Sequence, residues 1–178
     1  MSSRYSLHVE KWRNCKRCLL WEKRLKVVLC RGNIPAPVLI IGEAPGASED
    51  VHGVPFFGPA GHLLDQIIKE ANPNKVPICI TNLVGCMPKG EHGGKLGEPP
   101  EESIRACAPR LAEVVDMCRP KLVVLVGKLS AKWCPKLPKG TKAISLIHPA
   151  AVLRLDVSQQ GLAIRRCIVT LADALESL

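Results

Sequence analysis

Apolar positions along this chain follow two rhythms, short unbroken runs and stripes at helical spacing. Val38-Leu39-Ile40-Ile41 and the segment from Lys121 to Val126 are brief and rich in β-branched residues. Such runs read as strands buried on both faces. Val76 to Leu83 and Ala143 to Ile147 are similar in length, so the four runs are the first, third, second and fourth strands respectively. Between the first two, Leu63, Leu64, Ile67 and Ile68 recur at helical spacing. They predict a helix over 60–71, ended by Asn72-Pro73-Asn74. Pro99-Pro100-Glu101-Glu102 opens another helix, with proline tolerated in its first turn and acids at the positive end of its dipole. That helix runs to about Met117. A short helix is expected around Ser130–Trp133 and a long one over Leu153–Leu178. Residues 5–30 read as helical, interrupted at Cys15-Lys16-Arg17-Cys18, and Gly32-Asn33-Ile34-Pro35-Ala36-Pro37 breaks the chain before the first strand.

Strands alternating with helices predict an α/β fold, a three-layer α/β/α arrangement around a central four-stranded parallel sheet. At 178 residues the chain fits one domain over 1–178, with 1–36 as an N-terminal segment. Ligands bind outside the C-terminal ends of the strands in such a sheet. Three polar side chains fall there. Glu43 lies in the turn Gly42-Glu43-Ala44-Pro45-Gly46 after the first strand, Asn82 ends the second, and His148 follows the fourth. The loop from Gly53 to Gly61 holds both phenylalanines of the chain, Phe56 and Phe57, side by side. Two aromatics in one Gly/Pro-rich loop suggest a stacking platform, the alternative being that they pack inward. His148 reads either as a donor to developing negative charge or as a helix cap.

Charge narrows the partners. The net charge is +9, and no acidic residue occurs from Met117 through Leu155, where Arg119, Lys121, Lys128, Lys132, Lys136, Lys139, Lys142 and Arg154 are all basic. A one-sign zone of this kind favours a polyanion such as nucleic acid. No apolar run approaches the about 20 residues that span a bilayer, and the N-terminus lacks an apolar signal core, so the expectation is a cytoplasmic protein without membrane contact. Nine cysteines without a secretory signal point to metal ligands or buried thiols. Cys15 and Cys18 have knuckle spacing, and Cys86 and Cys107 can complete a four-sulfur site suited to an iron–sulfur cluster or to zinc. Cys30, Cys79, Cys118, Cys134 and Cys167 have no spacing partner and read as core or incidental thiols.

Taken together, GEAPGASEDVHGVPFFGPAGHLL, TNLVGC, the paired cysteines and HPAAVLR resemble the family 4 uracil-DNA glycosylases, in order from Cys15 to about Arg154. The resemblance implies excision of uracil from DNA in base excision repair, by a monomer carrying a [4Fe-4S] cluster on Cys15, Cys18, Cys86 and Cys107. It implies that Glu43 positions or activates water and that His148 stabilises the departing uracil anion. Glu49, Phe56 and Asn82 then line the base pocket with Gly42 and Ala44, Phe56 stacking on the base and Asn82 reading its edge. Gly58, Ala60, Gly61 and Ala150 fall in the segments that lie against DNA, and Leu153-Arg154 takes the place of a wedge that enters the duplex.

The chain departs from the family pattern around the third cysteine. Gly85 precedes Cys86 and Met87-Pro88-Lys89 follows it, where the family has a basic residue and then Arg-Pro-Pro. The Cys86–Cys107 loop is longer and contains His92. A related branch bonds uracil-bearing DNA covalently through a loop histidine, which gives a rival reading in which His92 makes this a covalent or non-turnover binder. Ala44 and Cys86 favour the turnover enzyme. A non-catalytic, basic, metal-containing DNA-binding protein is the rival from a different class.

Overall fold

The computed structural model describes residues 3–88 and 97–178. His92 and its surroundings therefore lie outside the described residues. The centre is a sheet of β1 (Arg31–Gly32), β2 (Val38–Gly42), β3 (Ile78–Asn82), β4 (Leu122–Val126) and β5 (Lys142–Leu146), in spatial order β1-β3-β2-β4-β5. The last four are parallel neighbours, with Ile40 opposite both Ile80 and Val124. Among the described residues the sheet thus has five strands and not the expected four. The addition, β1, runs antiparallel to β3, Arg31 facing Ile80 and Gly32 facing Cys79. Two residues carry no readable periodicity, and Gly32 looks like a chain breaker. It is in fact the point of closest approach. At φ 93, with a Cβ that would run into the Ile78 carbonyl, only glycine lets this edge pair.

Helices α1 (Ser3–Trp12), α2 (Ala47–His52), α3 (Pro59–Ala71), α4 (Glu101–Cys118), α5 (Lys128–Lys132), α6 (Pro149–Val152) and α7 (Val157–Glu176) complete the described elements. Successive strand residues point to opposite faces. Val38, Ile40, Ile80 and Val124 pack with Leu64 and Ile67 of α3 and Leu171 of α7. Leu39, Ile41, Cys79, Val123 and Leu125 pack with Leu111, Val114 and Cys118 of α4. The three-layer expectation is met. Each fully buried aliphatic side chain contributes about 1.5–3 kcal/mol, so the β2–β4 pair at the centre is the stable frame from which the loops hang. The β5 edge is largely exposed and begins with Lys142, the kind of charged edge that resists further strand addition.

The N-terminal segment is less helical than its pattern suggests. Only 3–12 form α1, a 3₁₀ turn covers Leu19–Glu22, and the chain then runs extended. Helix α1 is pinned to α4 through Glu113, whose carboxylate meets His8 Nδ1 at 2.8 Å, accepts from Trp12 Nε1 at 2.6 Å and pairs with Lys11. Further on, Val28 N–H donates to the Gly85 carbonyl and Leu29 O accepts from Thr81 Oγ1, both at 2.7 Å. These tertiary bonds replace the helix ladder. Among the described residues no helix is long and apolar enough to cross a membrane.

Candidate active site

The C-terminal ends of β2, β3, β4 and β5 converge as the sequence predicts. Leu83 N–H donates to Gly42 O at 2.9 Å and Val84 N–H to Glu43 O at 3.3 Å, which locks the turn after β2 to the turn after β3. A Cβ on Gly42 would overlap Asn82 Oδ1 and the Phe56 ring. Gly42 therefore keeps open a slot between an amide and an aromatic face. Asn82 is buried, yet among the described residues its side-chain amide makes no hydrogen bond. Both its donor and its acceptor are left for a ligand.

Phe56 owes its position to the loop around it. Its backbone is left-handed at φ 53, an uncommon conformation for a bulky residue. Glu49 of α2 holds it there. Its Oε1 accepts from Phe57 N–H at 2.9 Å and Gly58 N–H at 3.0 Å, and its Oε2 accepts from Gly46 N–H at 2.9 Å. Gly61 supplies the rest, since a Cβ there would strike the Phe56 backbone. Both oxygens of Glu49 are engaged by the loop, so its geometric work is bracing. The two phenylalanines separate. Phe56 turns inward, 7% exposed, while Phe57 is 42% exposed and stacks on His52 with ring centroids 4.0 Å apart. Gly58 caps α3 and is buried, and Ala44, Ala60 and Ala150 are half-buried on the same rim.

Glu43 and His148 face each other across Gly127. Leu129 N–H donates to Glu43 Oε1 at 3.1 Å. Gly127 sits at φ 100, and a Cβ there would meet the Glu43 carboxylate and the His148 ring. His148 is the N-cap of α6, its Nδ1 accepting from Ala150 N–H at 3.2 Å. A backbone N–H can only donate, so Nδ1 carries a lone pair and the neutral ring bears its proton on Nε2. The capping and donor readings of this residue are both met by one ring. Burial lowers its pKa below the ordinary 6.5 and Arg154 pushes the same way, against the pull of Glu43 and Glu49. The Phe56 ring lies 6.0 Å from it, centroid to centroid.

On the other side of the β3 turn, Cys15, Cys18, Cys86 and Cys107 line one cavity with Arg24, Gly85 and Ala106. Among the described residues no three His, Cys, Asp or Glu side chains close on a single ion position. Burial raises the Cys86 thiol to about 11, opposed by Arg24, whose Nη1 lies 3.6 Å from its sulfur. Arg110 is buried beside this cavity and donates from Nε to Cys107 Sγ at 3.2 Å. Burial alone works against its charge, but the neighbouring sulfurs of Cys107, Cys30 and Cys86 raise its pKa above the ordinary value. Of the other cysteines, Cys79, Cys118 and Cys167 are buried in the core, Cys30 is half-buried and Cys134 is exposed. The basic side chains from Arg119 to Arg154 are exposed, and Leu153 is 43% exposed at the end of α6, which Val152 anchors in the core.

Residues 29–171 match the family model described as the uracil DNA glycosylase superfamily. The chain belongs to the uracil-DNA glycosylase superfamily. Relatives named type-4 uracil-DNA glycosylase occur in Sulfurisphaera tokodaii, 40% identical over 67% of this chain and 53% of the relative, and in Saccharolobus solfataricus, 38% identical over 68% and 54%. The chain thus spans about half the length of these two. A third, in Pyrobaculum aerophilum, is 36% identical over 80% of this chain and 81% of its own.

Two residues of this superfamily member escaped the sequence reading. Gly127 separates the acid from the imidazole, and its signal was a glycine directly after a buried strand. Arg110 lies on the stripe of Ile104, Leu111, Val114 and Cys118 that α4 buries, a position where a charged residue should have drawn notice.

Proposed function

We propose that this protein excises uracil from DNA by hydrolysing the bond between C1′ of the sugar and N1 of the base. The observation that carries the reading is His148, a neutral imidazole half-buried opposite Glu43 and beside Phe56, whose Nε2–H has no partner among the described residues. A base inside a duplex must first be extruded at a cost of a few kcal/mol. Stacking on Phe56 offsets this by about 1–3 kcal/mol, and the Asn82 amide reads O4 and N3–H of the extruded uracil. As C1′–N1 breaks, the bonding pair passes to uracil and charge gathers on O2, where His148 Nε2–H donates. Glu43, one oxygen fixed by Leu129 N–H, faces the cationic sugar and orients the water whose oxygen adds to C1′. The water proton is released, and uracil leaves as the anion and is protonated in solvent. Glu49 braces the Phe56 loop, Gly42 and Ala44 shape the slot, and Gly58, Ala60, Gly61, Ala150, Leu153 and Arg154 form the rim that meets DNA. One chain supplies every group named, so a monomer suffices.

Cys15, Cys18, Cys86 and Cys107 would hold a [4Fe-4S] cluster, zinc being the alternative occupant. Four cysteine sulfurs lining one cavity are the donor set of a [4Fe-4S] cluster and equally of tetrahedral zinc. Bound there, the cluster would cross-link the N-terminal segment, the β3 turn and α4 through these four cysteines. The purified protein should be brown, with broad absorbance near ~400 nm. Colourless protein with one equivalent of zinc would overturn the assignment.

The functional reading is tested on a uracil-containing oligonucleotide, by release of free uracil and alkali cleavage at the abasic site. Release over many turnovers is expected. A protein–DNA adduct that survives denaturation, or binding without release, would overturn it.

A further inference from the structure

Among the described residues the guanidinium of Arg110 makes four hydrogen bonds, none of them to a carboxylate. Nε donates to Cys107 Sγ at 3.2 Å, Nη1 to Thr81 Oγ1 at 3.1 Å, and Nη2 to the carbonyls of Asn82 and of Leu83, the latter at 3.2 Å. Thr81 passes the chain on by donating to Leu29 O. The side chain is 1% exposed. A buried cation among neutral acceptors is costly unless a negative group stands close. Among its acceptors, the sulfur of Cys107 is the one that belongs to the four-cysteine cavity. The same planar fork therefore touches the sulfur site with one edge and the backbone of Asn82 with the other. Asn82 needs this. Its amide has no side-chain partner of its own among the described residues, so its aim is set by the backbone beneath it.

We propose that Arg110 is a positioning residue that couples the four-cysteine site to base recognition, fixing the Asn82 and Leu83 carbonyls from Cys107 and thereby the angle at which the Asn82 amide meets the base. The inference rests on the glycosylase reading above, in which Asn82 reads uracil and the cysteines hold a cluster. A lysine at 110 keeps the charge but loses the fork, so it cannot hold the sulfur and two carbonyls at once.

The test is a double-mutant cycle read in the dissociation constant for free uracil, by calorimetry, with visible absorbance recorded for each protein. Arg110→Lys should weaken uracil binding roughly tenfold, the worth of about one hydrogen bond, and retain the absorbance. In an Asn82→Ala background the same change should have no further effect, because the group it positions is gone. A general loss of structure would instead be additive. A penalty that persists in the Asn82→Ala background, with or without loss of absorbance, overturns the inference. Where Arg110→Lys does not fold, Thr81→Val removes the hydroxyl between Arg110 and Leu29, and the same cycle decides with the same two outcomes. Wild-type protein that neither binds nor releases uracil overturns the glycosylase reading and this inference with it. Wild-type protein that does both, with an additive cycle, overturns this inference alone.

Discussion

Replacing His148 by asparagine should slow single-turnover uracil release by about a hundred- to a thousandfold, the usual cost of one donor to a developing anion. Asparagine is chosen because it separates two functions. Its carbonyl can still cap α6 by accepting from Ala150 N–H, as His148 Nδ1 does at 3.2 Å, so the fold should keep its stability. His148→Ala loses the cap as well and should cost about 1 kcal/mol more in stability. If His148→Asn and wild type release uracil at equal rates, the histidine is only a cap.

The same ring sets a pH dependence. Burial, with Arg154, holds its pKa below 6.5 in the folded protein. The active form is the neutral one, so the rate should be flat above 6.5 and fall only as pH drops through the lowered value. Stability moves with the same sign. Just below 6.5 the unfolded chain takes up a proton that the folded chain refuses, so stability declines as pH falls and levels off once both are protonated. A single-turnover pH–rate profile beside thermal denaturation reads both. An acid limb centred above 6.5 would show that the imidazole is not a buried neutral donor.

What the sequence revealed and what it hid follow from where each signal is written. Strands β2 and β4 were legible because a strand buried on both faces must be apolar throughout, and their C-terminal ends then placed Glu43, Asn82 and His148 together. Helix α2 was not legible, because its six residues, ASEDVH, have no apolar stripe. It exists through Glu49 gripping the Gly46 N–H and the left-handed Gly53 that ends it. Strand β1 was hidden in a glycine that reads as a break. The phenylalanine pair presented two alternatives, and each residue took one: Phe56 inward under loop strain, Phe57 outward on His52. Arg110 was hidden for a different reason. Its partners are mainly backbone carbonyls and a sulfur, and a pattern of side-chain types says nothing of which carbonyl a guanidinium will find.

Gly127 allows the sharpest separation of site geometry from backbone strain. It sits at φ 100, and Gly140, in the loop before β5, at φ 86. Alanine at either position must hold a positive φ that L side chains rarely adopt, costing about 1–3 kcal/mol. The surroundings differ completely. A Cβ on Gly140 meets nothing within 4 Å, whereas one on Gly127 meets the Glu43 carboxylate and the His148 ring. Gly140→Ala should therefore lose stability and keep the wild-type rate of uracil release. Gly127→Ala should lose at least as much stability, and at a temperature where it is still folded its rate should fall about a hundredfold, because pushing either group by an ångström disrupts the reacting geometry. Circular dichroism fixes the temperature and single-turnover kinetics reads the rate. Should the two folded variants release uracil equally fast, the gap that Gly127 keeps between Glu43 and His148 is not where the bond is broken.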